Sequence, residues 1–495
     1  MFDFRQHIKV FILVSLSTVL QTSCMVGPNF HAPKPPKVKK YTEKPLPKKT
    51  VSTLGKGGQA QTFITNKDIP ILWWELYHSP EINQLIHMGL TNSPNLAAAS
   101  AALRQAQENL KVQIGNSMWP SIDASQMVQR QRYSGLQIGI PSDSVTFNLV
   151  YTSFNLSYTL DVFGGARRQI EALKAQVDYQ QFQVIATYLT LTSNIVTTSV
   201  AVASYQAQIE ATVDLIKAEQ GLLDVLNDQY RLGGVSKENV LTQETLLEQT
   251  KATLPPLQKN LSQAKHALST LVGAFPEAPL PTIQLDRLKL PAELPVSLPS
   301  NLVRQRPDVR ASEALLHQAC AQIGVATANL FPQFTITANE GWLNTSFTNI
   351  FTKRNEVWAL TGQVMQPLFH GGALWAQRRS AIAAYQQTAA QYKQTVLQAF
   401  QNVADVLRGI ETDARTLQAQ IKAENAARDS LNLTLKQYRL GGVSYINLLN
   451  AQQQYQQTRI SRIQAQAARY SDTAALFQAL GGGWWHKPWC VKECL

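Results

Sequence analysis

The octapeptide Gln-Tyr-Arg-Leu-Gly-Gly-Val-Ser occurs twice in this chain, at 229–236 and at 437–444, an offset of 208 residues. Identity of that length at a fixed spacing marks an internal duplication. Matches continue outward at nearly the same offset. Pro94-Asn95-Leu96 leads a helical run to Trp119-Pro120, and Pro307-Asp308-Val309 leads one to Phe331-Pro332. Phe163-Gly164-Gly165 answers His370-Gly371-Gly372, each followed by a pair of arginines. A tandem repeat of about 210 residues accounts for all three correspondences.

Each repeat parses alike. A proline-led helix is predicted over about 95–118 and about 308–330, because proline is tolerated in a first turn. Two alternating stretches follow: about 121–133 and 145–163 in the first repeat, about 333–345 and 356–369 in the second. Phe154, Leu156, Tyr158, Leu160 and Val162 share one face against Asn155, Ser157, Thr159 and Asp161. Phe334, Ile336 and Ala338 likewise oppose Thr335, Thr337 and Asn339. Period-two alternation of this length is the mark of a transmembrane β-strand.

After each Gly-Gly pair, the segments at about 166–232 and 373–440 contain no proline, and Gly221 and Gly409 are interior glycines. As helices each would be on the order of 100 Å long, which calls for an extended bundle rather than a globular core. The Gly-Gly of the octapeptide ends that helix. A return helix is then predicted over about 236–272 and about 444–480, with a kink at Pro255-Pro256. In both repeats the short helix and the return helix together nearly equal the long one. The N-terminal stretch, the connection from Pro276 to Pro299 and the tail after Gly481 would then gather as a belt.

One chain offers four strands. Four cannot close a barrel, and an open sheet edge is not tolerated in lipid. Oligomerisation is therefore required, with 8, 12 or 16 strands for two, three or four copies.

Residues 1–23 read as an export signal. Arg5, His7 and Lys9 precede an apolar run from Val10 to Leu20 that is too short to span a bilayer, and Thr22-Ser23 lead to Cys24. No later stretch reads as a transmembrane helix, which leaves the strands as the membrane element. Charged residues make up only 16% of the chain, a composition suited to long helices packed through small side chains. The net charge of +12 is uneven, with seven lysines against one glutamate between Lys34 and Lys49. Such a patch can bind nucleic acid. No aromatic stacking pattern accompanies it, so it reads as a solvated Lys/Pro linker. Cys320 reads as a small buried hydrophobe, while Cys490 and Cys494 could pair in an oxidising compartment.

These motifs resemble the outer-membrane factors of tripartite efflux pumps and type I secretion systems, the TolC-like channels. The nearest likeness is to the lipoprotein branch serving resistance-nodulation-division pumps. Cys24-Met25-Val26-Gly27-Pro28-Asn29-Phe30 is similar to that branch's mature N-terminus. Trp73-Trp74-Glu75 through Leu90 and Asn95 is similar to its first helical motif, and Ala479 to Trp484 to its C-terminal end. The resemblance runs nearly end to end. It implies a mixed α and β membrane protein built on an internal tandem duplication. Four strands per protomer, 12 in a homotrimer, would form an outer-membrane β-barrel. That barrel would be continuous with a long periplasmic α-helical coiled-coil barrel and an equatorial domain.

The chain accordingly divides into a signal peptide (1–23), a Lys/Pro-rich linker and equatorial segment (24–72) and a first repeat (73–275). A Pro-rich equatorial connection (276–299), a second repeat (300–480) and a tail (481–495) follow. The implied partners are a periplasmic adaptor, a proton-driven inner-membrane pump and outer-membrane lipid, with no nucleic acid and no cofactor. The resemblance also implies acylation of Cys24. Gln21 stands where the family's lipobox carries leucine, and Leu20 lies one residue further back. Met25 rather than aspartate after the cysteine fits outer-membrane sorting.

By the same resemblance the octapeptide turns lie at the periplasmic tip. There Arg231, Leu232, Gly233, Gly234 and Ser236, with Arg439, Leu440, Gly441, Gly442 and Ser444, would meet the adaptor. Glycines in a tight turn also serve structure alone, and both readings can hold. Ile446 and Asn450 share a helix face, so three copies would set rings of each around the pore. Asn239, Asn447 and Asn450 stand where relatives commonly carry aspartate. That predicts a weak cation preference and a gate held by hydrogen bonds. Tyr438 matches a tyrosine that ties the closed tip. Asp405, Arg408, Glu411 and Asp413 read as a solvated or lumen-facing stripe.

No Walker A loop, H-E-x-x-H, G-x-S-x-G or strand-borne G-x-G-x-x-G is present, and no metal-ligand spacing. His317 reads as a helix-surface residue and His370 as a turn residue. The chain therefore reads as a passive conduit rather than an enzyme. The rival is a non-conducting envelope coiled-coil lipoprotein, against which the four alternating segments argue.

Overall fold

The computed structural model describes residues 25–38, 40–134 and 144–486. The signal segment, Cys24, Cys490 and Cys494 lie outside them. In chain order the elements are β1 (Thr62–Thr65), α1 (Pro80–Asn92), α2 (Pro94–Met118), β2 (Ser121–Tyr133), β3 (Val145–Leu160), α3 (Gly165–Arg231) and α4 (Lys237–Leu271). They continue as β4 (Glu293–Val296), α5 (Pro299–Gln305), α6 (Pro307–Ala328), β5 (Gln333–Asn344), β6 (Glu356–Met365), α7 (Ala373–Arg439) and α8 (Tyr445–Ala479). The two long helices have 67 residues each and the two return helices 35 each. The duplication is thus exact in the lengths of the long and return helices, while the proline-led helices α2 and α6 have 25 and 22 residues. Helix α4 continues through Pro255 and Pro256, whose rings lie on its exposed side.

Two compact units cut across the sequence repeats. One takes residues 25–33 with Ala102–Gln180 and Ser312–Tyr392; the other takes Lys34–Ala101, Gln181–Ala311 and 393–486.

The first unit holds an antiparallel sheet in the order β2-β3-β5-β6, so β2 and β6 are each paired on one side only. The register aligns the alternation across all four strands. Ile122 pairs with Leu156, Leu156 with Ala338 and Ala338 with Leu360. Directly paired residues share a face, so this row is apolar throughout. The neighbouring row, Asp123, Asn155, Asn339 and Ala359, is mostly polar. Trp358, Leu360 and Val364 on the apolar face are exposed.

Strands β3 and β6 end at Leu160 and Met365, a few residues short of the sequence expectation. Asp161 leaves the ladder because its carboxylate accepts from the N–H groups of Ala166 and Arg167 and caps α3. After Met365, Pro367 cannot donate to a ladder.

A buried arginine fastens the N-terminal segment to this unit. Arg168, 1% exposed, donates to the carbonyls of Val26 and Gly27 and to Asn29 Oδ1, and pairs with Glu171 at 2.7 Å. The Val26 N–H donates to Phe163 O, and Phe30 stacks on His317 at 4.4 Å. His317 also meets Glu171 at 2.9 Å, so it is a packed residue rather than a bare helix-surface one. Cys320 is buried.

In the second unit the N-terminal stretch, the Pro-rich connection and the chain after Gly481 come together. Strand β1 pairs in parallel with β4. Gln61 Nε2 donates to Pro291 O and Thr473 Oγ1, and Trp484 Nε1 to Gln305 O. Trp73 is fully buried and stacks on Phe477. Arg469, also fully buried, donates to Gly57 O, Gln59 O and Thr50 Oγ1.

Two sequence readings are corrected here. The stretch from Asp405 to Asp413 is solvated only in part, since Asp405 is exposed while Glu411 and Asp413 are packed. Glu411 is 5% exposed and held by Arg408 and Arg415, while Asp413 faces Asp472 of α8, with burial raising both carboxyls. Gly409 makes room for that pair, since a Cβ there would fall 2.5 Å from Asp472 Oδ2. In addition, an 18-residue window of α3 is apolar enough to cross a membrane by length and composition. Over half of it is buried, including Ile185, Ile195, Val196 and Val200, so it packs against its own chain.

Replacing Arg469 by Met removes three hydrogen bonds that hold the N-terminal stretch. We expect a loss of about 3 kcal/mol, and faster tryptic cleavage at Lys48, Lys49 and Lys56 in a limited-proteolysis time course.

Candidate functional site

The two octapeptides form the same turn. Gly233 and Gly441 both have φ 74°, a left-handed conformation open to glycine at little cost. The Gly233 N–H donates to Tyr230 O and the Gly234 N–H to Gln229 O; Gly441 and Gly442 repeat this with Tyr438 and Gln437. This pair of bonds is the Schellman ending of a helix. Ser236 and Ser444 then start the return helices, with no capping bond from either hydroxyl. Leu232 and Leu440 are 86% and 87% exposed at the turns, and Arg231, Gly233, Gly234, Arg439, Gly441 and Gly442 are exposed beside them.

Their surroundings differ in charge. Arg231 is paired with Asp228, one turn back. The repeat replaces Asp228 by Lys436, so the second turn carries Lys436 and Arg439 without that neutralising partner.

Beneath the turns the four helices converge on one apolar cluster. Leu223 and Leu226 of α3, Val240, Leu246 and Leu247 of α4, and Tyr445, Leu448 and Leu449 of α8 form its buried part. Leu431, Leu435 and Tyr438 of α7 pack against it. Tyr438 lies against Tyr445 with ring centroids 5.6 Å apart, and burial raises both phenols.

The sequence-named gate residues separate into three places. Ile446, Asn447 and Asn450 are exposed together on the side of α8 opposite Tyr445, Leu448, Leu449 and Gln452. Tyr438 is on the cluster side, and Asn239 is half-buried on α4. Sequence reasoning passed over Tyr445, Gln243 and Glu219. The signal for Tyr445 was available, since it is an aromatic directly after the second octapeptide where the repeat has Lys237.

A family model described as outer membrane efflux protein matches residues 85–274 and 298–482. The chain belongs to this family. It is therefore an outer-membrane channel component of the efflux and export class, a transport family rather than an enzyme family. The antibiotic efflux pump outer membrane protein ArpC of Pseudomonas putida is 26% identical over 488 residues, covering 97% of this chain and 96% of its own. The cation efflux system protein CusC of Escherichia coli is 27% identical over 422 residues, 83% of this chain and 88% of that one. Among solved structures, the Campylobacter jejuni CmeC outer membrane channel has a TM-score of 0.83 at 20% identity, covering 93% of this chain and 95% of that one.

Gly441→Ala places a Cβ in the left-handed region at a solvent-exposed turn. We expect a cost of about 1 kcal/mol, seen as faster amide exchange over 436–447 with little change in the global melting temperature.

Proposed function

We propose that three copies of this chain close one 12-stranded barrel through the outer membrane and join their helical hairpins into a conduit. Its turns form a periplasmic gate and an adaptor-docking tip. The observation that supports this most is the four-stranded sheet, which aligns an apolar row across all four strands and has two edges paired on one side only. Backbone groups on such edges must be paired in lipid, and further copies of the sheet supply the partners.

The turns suit docking because exposed leucines, arginines and uncommitted serine hydroxyls stand together at the ends of rigid helices. The exposed trio Ile446, Asn447 and Asn450 suits a constriction, with the cluster behind it fixing the helix orientation. Transport energy comes from an inner-membrane pump, proton-driven and linked through the adaptor. The conduit itself performs no catalysis. Relatives named for antibiotics, pyoverdine and cations share this plan, so cargo choice belongs chiefly to the pump.

Cys24 is the lipid anchor. The residues after it are fastened at Phe163 and Arg168, where β3 gives way to α3.

The purified protein should form ion-conducting pores in planar bilayers. Asn450→Asp places a carboxylate ring in the constriction and should raise the cation-to-anion permeability ratio on the order of threefold or more. Absence of pores, or a ratio unmoved by Asn450→Asp, contradicts the assignment. A cysteine at Ser444 should cross-link to a periplasmic adaptor in cells.

A further inference from the structure

Behind the turns lies a polar network that neither docking nor the pore-facing trio uses. Glu219 of α3 is 1% exposed. Its Oε1 accepts from Thr250 Oγ1 of α4 at 3.1 Å, whereas its Oε2 is buried with no hydrogen-bond partner among the described residues. Gln243 of α4 donates through Nε2 to the Glu219 main-chain carbonyl at 2.9 Å. Its Oε1 accepts from the hydroxyl of Tyr445, the first residue of the second return helix. Across the bundle Gln452 Oε1 is a second buried oxygen lacking a donor. Gln452 lines a cavity of about 170 Å³ together with Leu215 and Ala218.

This region is rich in acceptors and short of donors. An ionised carboxylate there leaves an oxygen unsatisfied and a charge uncompensated, while a protonated one supplies a donor. The titratable group that faces Glu219 from the other hairpin is the Tyr445 phenol of α8, with Tyr438 of α7 against it, and neither brings a positive charge. Arg428 and Asp429 of α7 pair with each other, and Lys436 and Arg439 lie exposed at the turn. The nearby ion pairs Asp214–Arg459 and Glu248–Lys251 are closed on themselves.

We propose that Glu219 is a proton-binding positioning residue whose protonated form holds the second hairpin against the first and keeps the resting tip closed. The proposal rests on the gate reading above. Burial pushes the Glu219 carboxyl up to about 7, against the single opposing pull of Thr250. Swinging α8 away admits water and returns the carboxyl to its ordinary range. A group whose acidity is weakened only in the packed state stabilises that state fully below the ordinary carboxylate range, and the contribution fades as pH rises toward about 7. The hairpins are thus held most firmly in acid and released above neutrality.

Hydrogen exchange over 438–452 in the intact oligomer tests this, after correction for the intrinsic pH dependence of exchange. Between about pH 5.5 and about pH 8 the wild type should lose protection at least about tenfold. Glu219→Gln should stay protected at both, and Thr250→Val, which deletes the bond favouring the carboxylate, should move the transition to higher pH. A wild type without a transition, or a Glu219→Gln variant that keeps it, overturns the proposal. Conductance of the same samples separates the two claims. Exchange that follows Glu219 while conductance stays flat keeps the strut and removes the gate; conductance that follows pH equally in both proteins keeps the gate and removes Glu219 from it.

Discussion

A β-sheet placed in hydrocarbon must satisfy every backbone N–H and C=O within protein, because lipid offers no partner and each unpaired group costs several kcal/mol. The described residues supply this sheet with four strands in register, with the row Ile122, Leu156, Ala338 and Leu360 apolar and the neighbouring row mostly polar. Its two outer strands are paired on one side only. The proposed self-association answers this single deficit, and it would repeat everything joined to the strands. The long helices begin within a few residues of β3 and β6.

The hairpin turns show how a duplicated unit comes to serve two roles. Both turns use the same glycine geometry and the same pair of backbone bonds. Around them the copies have diverged. Arg231 is neutralised by Asp228, while its counterpart Arg439 stands one turn from Lys436. Helix α8 buries Tyr445 and Gln452, where α4 exposes the equivalent Lys237 and Glu244. The return helices therefore turn different faces to the common cluster. That leaves Ile446, Asn447 and Asn450 exposed on one and a hydrogen-bonded Gln243 on the other.

The periodic features were legible in the sequence. The octapeptide spacing gave the repeat, the absence of proline gave two long helices, and alternation gave four strands. The ends were less legible, because Asp161 reads as the polar side of a strand yet serves as the cap of α3. Burial of charge was not legible at all. Glu411 and Asp413 on α7 and Arg469 on α8 look like surface residues in sequence; Arg469 is covered by the chain around Gly57, 412 residues away, and Asp413 meets Asp472 of the return helix. The long uncharged stretch of α3 could mislead in the opposite direction, since composition alone does not separate a membrane span from a helix buried in its own protein. At the candidate site, the turn residues were read from their repetition. The cluster behind them was not, because it draws on four helices and Glu219 shows no pattern in sequence.

The claim on which the rest depends is that three sheets complete one barrel. Native mass spectrometry of the protein extracted from outer membranes measures this directly. The account predicts a complex of three chains that separates into single chains only on heating. A stable single chain, or a complex of two or four, would contradict it.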